Sequence, residues 1–461
     1  MENDLFPASI GGHGRRVTLT QHEALGGPLW DVLLIRRDLQ HRAGQQMSSL
    51  RLVLLTIQLM MAIGVVLPLI FHTLLNRYWM GLPPLEPPVT KREKLPRITV
   101  VLPVWNEALV IKGKLADIAA QDYPAEKLDL IVIDSASTDD TLKLTREWLN
   151  ENPSAFADSV RIVEMLARLG KSAAVVRALE ELADDCEVVV FSDAECRISA
   201  GSLHRIGRWF TDPAIGAVCG CLSQNNPEGG DEASYRSIYH WFREGESRRN
   251  STPILEGSIA AYRRSALPAA GIVTGANADD SQMGMLVCSN GLRAILDPII
   301  EFNEPPVGDP GEERERKVRR AQGLVRHFWR SRNVWFRGDD GWGLIVGLNG
   351  IMHVIVPWLV LLGILAGAGH ILDVILAGWF VASPTLLDRI MLLVDAVVLL
   401  LLAAGIIGLR LRIASTTIAF LSHIGMLLEA QIRLMRGQSL HMWSPAMSVR
   451  RKLAEQESDS D

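Results

Sequence analysis

The sequence VVVFSDAE occupies residues 188–195 and places two carboxylates directly after a short apolar run. Its β-branched residues are typical of a buried strand. Similar runs recur between residues 97 and 335, separated by stretches with helical periodicity. This alternation predicts an α/β domain with a mostly parallel, mixed sheet flanked by helices. The predicted strands cover residues 98–102, 128–133, 160–163, 188–191 and 215–219.

Acidic residues follow three of these predicted strands. Asp193 and Glu195 follow the fourth strand, Asp134 ends the second, and Glu107 lies shortly after the first. A single acidic strand end is explained equally well as a helix cap or turn residue. Three on one edge favour a ligand site, because ligands of open α/β sheets bind outside the carboxyl ends of strands. Asp193 and Glu195 suit a hard cation such as Mg²⁺ or Mn²⁺ that shares a diphosphate.

Two nucleotide-binding motifs are incomplete. Gly170-Lys171 cannot end a P-loop, because Met165 stands where that motif requires glycine. No G-x-G-x-x-G fingerprint follows the first strand either. Lys171 is still a candidate for contact with a phosphate or carboxylate. Further along, Asp279 and Asp280 precede an apolar helical pattern, where they either cap the helix or supply a general base.

Composition excludes some classes of protein. The chain has 461 residues and a formal net charge of −5, which argues against a nucleic-acid partner because phosphate binding needs concentrated Lys and Arg. The five cysteines have no zinc-site spacing, and we expect reduced thiols.

Long uncharged runs predict membrane spans on both sides of the α/β region. Residues 52–71, 341–372 and 390–409 are long enough to cross a bilayer. Residues 413–428 either cross or lie along the interface. Basic residues beside the spans predict that the α/β region faces the cytoplasm. The predicted divisions are a partly disordered polar tail (1–46), a membrane helix (47–78), a Pro-rich linker (79–96), the α/β domain (97–335), membrane or interfacial helices (341–436) and a cytoplasmic tail (437–461).

The order of these motifs resembles membrane-anchored family 2 glycosyltransferases with the GT-A fold, which are related to cellulose, hyaluronan and poly-N-acetylglucosamine synthases. The resemblance rests on a P-x-x-N-E strand end at 103–107 and a Ser-Thr-Asp stretch at 137–139. It continues with the Gly-Lys pair at 170–171, a D-x-D-like motif at 193–195 and the acidic pair at 279–280.

The resemblance implies an inverting transferase in the inner (plasma) membrane, multi-pass, with a cytoplasmic catalytic domain. It would move a sugar from a nucleotide-diphosphate sugar, UDP-linked by default, to a hydroxyl of a lipid-linked or exported glycan acceptor. Partner subunits of an export complex are also implied. The implied sites are Pro103, Glu107, Asp134, Lys171 and Asp193 for the nucleotide; Asp193 and Glu195 for Mg²⁺ or Mn²⁺; Asp280, with Asp279, for catalysis; and Gly257, Arg326 and Trp329 for the acceptor.

Three departures from the family pattern leave alternatives open. Glu195 replaces the usual second Asp of D-x-D, and Ser135 stands where many members have Asp. The Q-x-x-R-W motif of processive polymerases is also disrupted, since Arg326 is one position late after Gln322. A processive synthase, an inactive scaffold of an export complex and a transporter with a regulatory domain are the alternative interpretations.

Overall fold

The computed structural model describes residues 27–156, 160–223, 231–378, 385–407, 409, 412–440, 442 and 445–458. The described residues form two compact units. One unit comprises those up to Leu59 together with Ile364–Ala396, and the other comprises Met60–Gly363 together with those from Val397 onward. The second unit contains the α/β domain.

Within the described residues, eight strands form one sheet. In chain order they are β1 (Ile98–Val104), β2 (Leu128–Asp134), β3 (Val160–Glu164), β4 (Val188–Ser192), β5 (Arg197–Ile198), β6 (Ile215–Leu222), β7 (Ile259–Arg263) and β8 (Arg293–Asn303). Their order in the sheet is β3-β2-β1-β4-β7-β6-β8-β5. All five predicted strands are present.

The sheet is parallel on one side and mixed on the other. β3, β2, β1 and β4 run parallel, and β7 is antiparallel to both β4 and β6. Val104 pairs with Asp134 at the end of the β1–β2 ladder. The carboxyl ends of β2, β1 and β4 therefore lie side by side. This agrees with the prediction that the three acidic strand ends share one edge of the sheet. The prediction of an α/β domain with a mostly parallel, mixed sheet is confirmed.

Alternating residues of the central strands pack into separate apolar clusters, because successive side chains of a strand point to opposite faces. Ile98, Val100 and Leu102 belong to one cluster, and Val101 and Ile131 belong to the other. The helices that flank the sheet or follow it are α2 (Ile111–Ala119), α3 (Thr141–Glu151), α4 (Lys171–Glu181), α5 (Ser202–Trp209), α6 (Asp231–Arg249), α7 (Asp279–Ser289), α8 (Pro310–Arg330) and α13 (Met447–Ser458).

The apolar helices are α1 (Gly27–Met80), α9 (Trp342–Gly350), α10 (Val356–Gly378), α11 (Leu386–Ile406) and α12 (Arg412–Met435), with a π-helical turn, Ile351–Ile355, between α9 and α10. Among the described residues, three stretches are long and apolar enough to cross a membrane: Ser49–Met80, Trp342–Leu376 and Thr416–Met435.

Two sequence expectations for these helices change. Helix α1 begins at Gly27, so the second half of the predicted polar tail is helical, whereas residues 1–26 lie outside the described residues. The predicted span 390–409 corresponds to α11, which is not among the three candidates, and residues 408, 410 and 411 lie outside the described part. The region around 413–428, for which two interpretations were open, does belong to a candidate span.

Charged and polar residues of the first unit are paired within it. Arg51 donates a hydrogen bond of 2.7 Å to Asp373, and Gln58 donates one of 2.7 Å to Asp395. The carboxylates that interrupt the apolar C-terminal sequence thus have partners, as polar groups in apolar surroundings require.

Candidate functional site

A cavity of about 470 Å³ opens at the carboxyl ends of the strands. Carboxylates from two parts of the chain meet there, Asp193 and Glu195 after β4 and Asp279 and Asp280 at the start of α7. Lys171, the first residue of α4, lines the same cavity. The cavity also reaches α12, and its residues there are Ala419, Ser422, His423, Met426 and Leu427.

Lys171 is paired with Asp193 at the floor of the site. Its Nζ donates a hydrogen bond of 2.5 Å to Asp193 Oδ1. Burial by itself would lower the pKa of Lys171, but Asp193 and Asp279 raise it above its ordinary value. The ammonium therefore stays charged and can contact a phosphate without leaving the carboxylates.

Asp280 lines the cavity at the start of α7, and its pKa is raised. Its Oδ1 accepts a hydrogen bond of 2.7 Å from the backbone N–H of Ser281, and its backbone carbonyl accepts one of 3.0 Å from the Tyr262 hydroxyl. Burial, followed by the charge of Asp279, raises the pKa of Asp280 to about 7. A carboxylate with such a pKa is well matched to proton transfer near neutral pH.

Gly257 forms the wall opposite this carboxylate. A Cβ atom at Gly257 would lie 2.9 Å from Asp280 Oδ2 and 3.4 Å from Lys171 Nζ. Only a residue without a side chain leaves both groups in place. Gly257 therefore lies in the cavity, beside both Asp280 and Lys171.

Glu195 and Glu107 share one cation, Arg450 of α13. Arg450 Nε and Nη2 donate to the two carboxylate oxygens of Glu107 at 3.0 and 2.8 Å, and Nη2 also donates to Glu195 Oε2 at 3.0 Å. Burial favours the protonated form of Glu195, but Arg450 together with a backbone hydrogen bond and other nearby cations lowers its pKa. Glu107 is 0% exposed. The structure therefore places Glu107 against Arg450, not on the cavity wall where a nucleotide would touch it.

Asp134 is a buried acceptor at the end of β2 and does not line this cavity. Its Oδ2 accepts a hydrogen bond of 3.0 Å from the backbone N–H of Ser137. Its Oδ1 is buried and has no hydrogen-bond partner among the described residues. An unsatisfied buried oxygen is costly and calls for a donor from a ligand or water. Pro103, by contrast, is buried within β1, where it pairs in register with Ile133.

The loops around the site hold three non-glycine residues in the left-handed region, Asn106 (φ 55°), Ala136 (φ 61°) and Ala278 (φ 59°). Asn106 Oδ1 accepts a hydrogen bond of 2.8 Å from the Thr138 backbone N–H, which joins the loops after β1 and β2. Such backbone conformations are disfavoured for alanine and concentrate at functional sites. Ala278 directly precedes the acidic pair, so its conformation sets the start of α7.

Basic residues of α8 form a further wall that the sequence did not single out. Arg316, Arg319 and Arg320 line the cavity. Burial, followed by the neighbouring Arg320, lowers the pKa of Arg319 to about 10. The two residues of α8 that were predicted to contact an acceptor do not line this cavity. Arg326 donates to the carbonyl of Gly275 at 3.3 Å, and Trp329 is 56% exposed.

A stacked pair beside the first strand end was also missed. The guanidinium of Arg168 lies 3.4 Å from the ring centroid of Trp105, which belongs to the P-x-x-N-E stretch. This is the geometry of a cation–π contact.

The residues fit a cation that shares its ligands with a substrate, but not a cage built of protein ligands alone. Among the described residues, no three His, Cys, Asp or Glu side chains cluster closely enough to hold a metal ion. Asp193 and Glu195 supply two carboxylates in the cavity. Mg²⁺ characteristically binds through one or two carboxylates together with substrate phosphates, and the basic wall would accommodate those phosphates.

Comparison with known families identifies this architecture. Residues 99–270 match glycosyl transferase family 2, and residues 188–413 match glycosyl transferase family group 2. An N-acetylglucosaminyltransferase of Bradyrhizobium elkanii is 30% identical over 135 residues, which cover 29% of this chain and 69% of that protein. The chain belongs to glycosyl transferase family 2.

Further similar proteins differ in how much of their length this chain covers. An N-acetylglucosaminyltransferase of Rhizobium meliloti (strain 1021) is 26% identical over 38% of this chain, which spans 40% of that relative. A mannosyltransferase structure from Pyrobaculum calidifontis, in complex with GDP-Man and Mn²⁺, superposes with a TM-score of 0.65. It is 28% identical, and the match covers 83% of this chain and 99% of that one.

Proposed function

We propose that this family 2 member is a membrane-bound, metal-dependent, inverting glycosyltransferase. It moves a sugar from a nucleotide-diphosphate sugar to a hydroxyl of a lipid-linked acceptor. The observation that carries the proposal is the shared cavity. Asp193, Glu195 and Asp280 line one part of it, and residues of the candidate membrane span in α12 line another.

The acceptor class follows from that cavity. Ala419, Met426 and Leu427 present an apolar wall beside the acidic residues. A water-soluble acceptor has no need of an apolar helix at its binding site, whereas a lipid-linked acceptor can keep its hydrocarbon beside a membrane helix. An acceptor held there has its reactive hydroxyl close to Asp280.

The donor would bind along the sheet edge. Asp134 would accept a hydrogen bond from the nucleotide base, since its Oδ1 lacks a partner among the described residues. Lys171 of α4 and Arg319 of α8 would both contact the diphosphate. Asp193 and Glu195 would hold Mg²⁺ or Mn²⁺, which neutralises the charge of the diphosphate leaving group when it is bound.

The transfer is a single displacement. The acceptor oxygen forms a bond to the anomeric carbon from the face opposite the diphosphate. The bond from that carbon to the diphosphate oxygen breaks, and its electron pair leaves with the nucleoside diphosphate. Asp280 takes the proton of the acceptor hydroxyl, with its raised pKa placing it near the working pH. The configuration of the sugar inverts.

The membrane arrangement and the donor extend this proposal. The candidate spans and their basic flanks fit a multi-pass protein of the inner membrane with the transferase domain in the cytoplasm, where nucleotide sugars are made. The candidate donors are UDP sugars, which the sequence led us to expect, and GDP-mannose, because the similar Pyrobaculum calidifontis structure contains GDP-Man. An export complex would supply partner subunits.

The test is release of nucleoside diphosphate by the full-length protein purified in detergent. A panel of UDP and GDP sugars is assayed with Mg²⁺, Mn²⁺ or EDTA, with and without membrane lipid extract. We expect release from one donor that requires metal and lipid and is lost in Asp280→Asn. The matched control, Asp184→Asn, changes an exposed aspartate and should retain full activity.

Two outcomes would contradict the proposal. Near-normal release by Asp280→Asn would remove Asp280 as the base. Absence of release from every donor, even with lipid extract, would instead favour an inactive scaffold.

A further inference from the structure

We propose that Arg450, on the C-terminal helix α13, is a positioning residue of the donor site, which aims the Glu195 carboxylate at the cation and is itself held by Glu107. This inference rests on the proposed function and adds to it a residue from a separate part of the chain. It also gives Glu107 a role in the site that does not require contact with the nucleotide.

The guanidinium of Arg450 is held in place by Glu107. The two oxygens of Glu107 accept from Nε and Nη2 in the forked arrangement that suits a planar guanidinium. Arg450 is 1% exposed and Glu107 is 0% exposed. The Nη2 atom that also reaches Glu195 Oε2 at 3.0 Å therefore has little freedom to move. It holds one oxygen of Glu195 at a defined point.

Arg450 lies behind Glu195 and outside the cavity wall. Glu195 lines the cavity, and Arg450 does not. A residue that blocked donor binding would have to lie inside the cavity. The guanidinium instead contacts Glu195 from the protein side, which is the position of a group that orients a ligand.

Helix α13 is anchored too firmly to act as a removable lid. Val449 and Leu453 are buried in the same apolar cluster as Ile98 and Val100 of β1. On the polar side, Ser448 Oγ donates a hydrogen bond of 2.8 Å to Glu312. These contacts pack α13 against the domain and hold Arg450 beside Glu195.

The extra methylene of Glu195 explains why such a residue is needed. Compared with the Asp that the D-x-D pattern leads one to expect, Glu has one more rotatable bond and reaches farther from the backbone. A cation behind it restricts that added freedom, much as outer hydrogen-bond partners orient metal ligands generally. Arg450 lies beyond residue 413, where the second family match ends.

The test measures Mn²⁺ affinity directly, by the electron paramagnetic resonance signal of free Mn²⁺, with the full-length protein and either UDP or GDP present. Arg450→Ala would leave Glu107 as a buried, unpaired carboxylate and risks misfolding. The informative variants are therefore Arg450→Lys, which keeps the charge without the fork, and the double variant Glu107→Gln/Arg450→Gln, which removes both charges. Arg451→Ala, an exposed neighbour on the same helix, is the matched control.

We expect the double variant to raise the Kd for Mn²⁺ by about tenfold or more, the usual cost of losing an outer partner of a metal ligand. Arg450→Lys should give a smaller rise, and Arg451→Ala none. The KM for Mn²⁺ in nucleoside diphosphate release should move in the same order. Thermal unfolding of each variant separates this effect from loss of the fold.

Two results overturn the inference in distinguishable ways. If the wild-type protein binds Mn²⁺ and both Arg450→Lys and the double variant bind it equally well, Arg450 does not position Glu195, and the proposed function stands. If the wild-type protein binds no Mn²⁺ with either nucleotide, the metal role of the site fails, and this inference fails with it.

Discussion

The chemistry of Asp280 depends on its surroundings. Burial and the adjacent Asp279 raise its pKa to about 7. Below that pH the carboxyl is protonated and cannot accept a proton from the acceptor. We therefore expect kcat/KM to rise with pH up to about 7 and then to level off, as measured from nucleoside diphosphate release across pH. A half-point near pH 4, about the value of an exposed aspartate, would contradict this assignment.

Gly257 offers a test of the same carboxylate by sterics alone. The added methyl of Gly257→Ala would lie 2.9 Å from Asp280 Oδ2, which is the movable end of a side chain. The carboxylate should shift at little cost in stability, whereas activity should fall by about ten- to a hundredfold because catalysis is sensitive to small displacements. Steady-state kinetics and thermal unfolding measure the two effects.

The matched control for that change is Gly275→Ala. A Cβ at Gly275 would meet no atom within 4 Å. If Gly275→Ala and Gly257→Ala reduce activity equally, the close approach of Gly257 to Asp280 has no catalytic importance.

Individual carboxylates were predictable from sequence, but their partners were not. Asp193 and Asp134 follow apolar strands, and a parallel sheet brings such strand ends together whatever the loops do. Arg450 is 343 residues away from Glu107 in sequence. No neighbouring residue indicates that Arg450 contacts the site. In the sequence it belongs to a run of basic residues that is equally typical of a cytoplasmic tail.

At the scale of elements, α8 packs closely on the start of α7. A Cβ at Gly323 of α8 would lie 2.9 Å from Asn277 Cβ and 3.2 Å from the backbone nitrogen of Ala278. Gly323→Ala should therefore cost about 1–3 kcal/mol as an overpacked contact. It should also lower activity, because Ala278 sets the position of Asp279.

A thermal unfolding series in detergent checks this expectation. Gly425→Ala, in α12, is the matched helical control, since a Cβ there would meet no atom within 4 Å. An unchanged melting temperature for Gly323→Ala would show that the two helices can separate without cost.

Strands were predicted correctly where the apolar pattern of the sequence is continuous. The predicted bounds of the apolar parallel strands β1, β2 and β4 agree with the observed bounds within a few residues. β8 was missed because Asp297, Pro298 and Glu301 interrupt its apolar pattern. β7 was not predicted either, since five residues carry little periodicity.

At the scale of the whole second unit, one buried carboxylate joins several helices. Glu246 of α6 is 1% exposed, lies 3.2 Å from His72 Nε2 of α1, and accepts hydrogen bonds from Asn349 of α9 and from Thr252. Apolar helices and the transferase domain thus share a polar network. Glu246→Ala would leave its partners buried and unsatisfied.

We expect Glu246→Ala to cost about 2–4 kcal/mol, since several buried groups lose their partner together. The melting temperature of the purified protein measures this loss. Glu244→Ala, two residues away in a partly exposed pair with Arg248, is the matched control and should change the melting temperature little. Equal effects of the two changes would mean that the network does not hold the helices to the domain.

The most direct test of the central claim follows the sugar itself. The donor identified by nucleoside diphosphate release is labelled in its sugar and incubated with the protein and membrane lipid extract, and the label is then partitioned between organic solvent and water. The account expects label in the organic phase that requires divalent cation and disappears with Asp280→Asn. Label recovered only as free sugar or in a water-soluble glycan would contradict a lipid-linked acceptor.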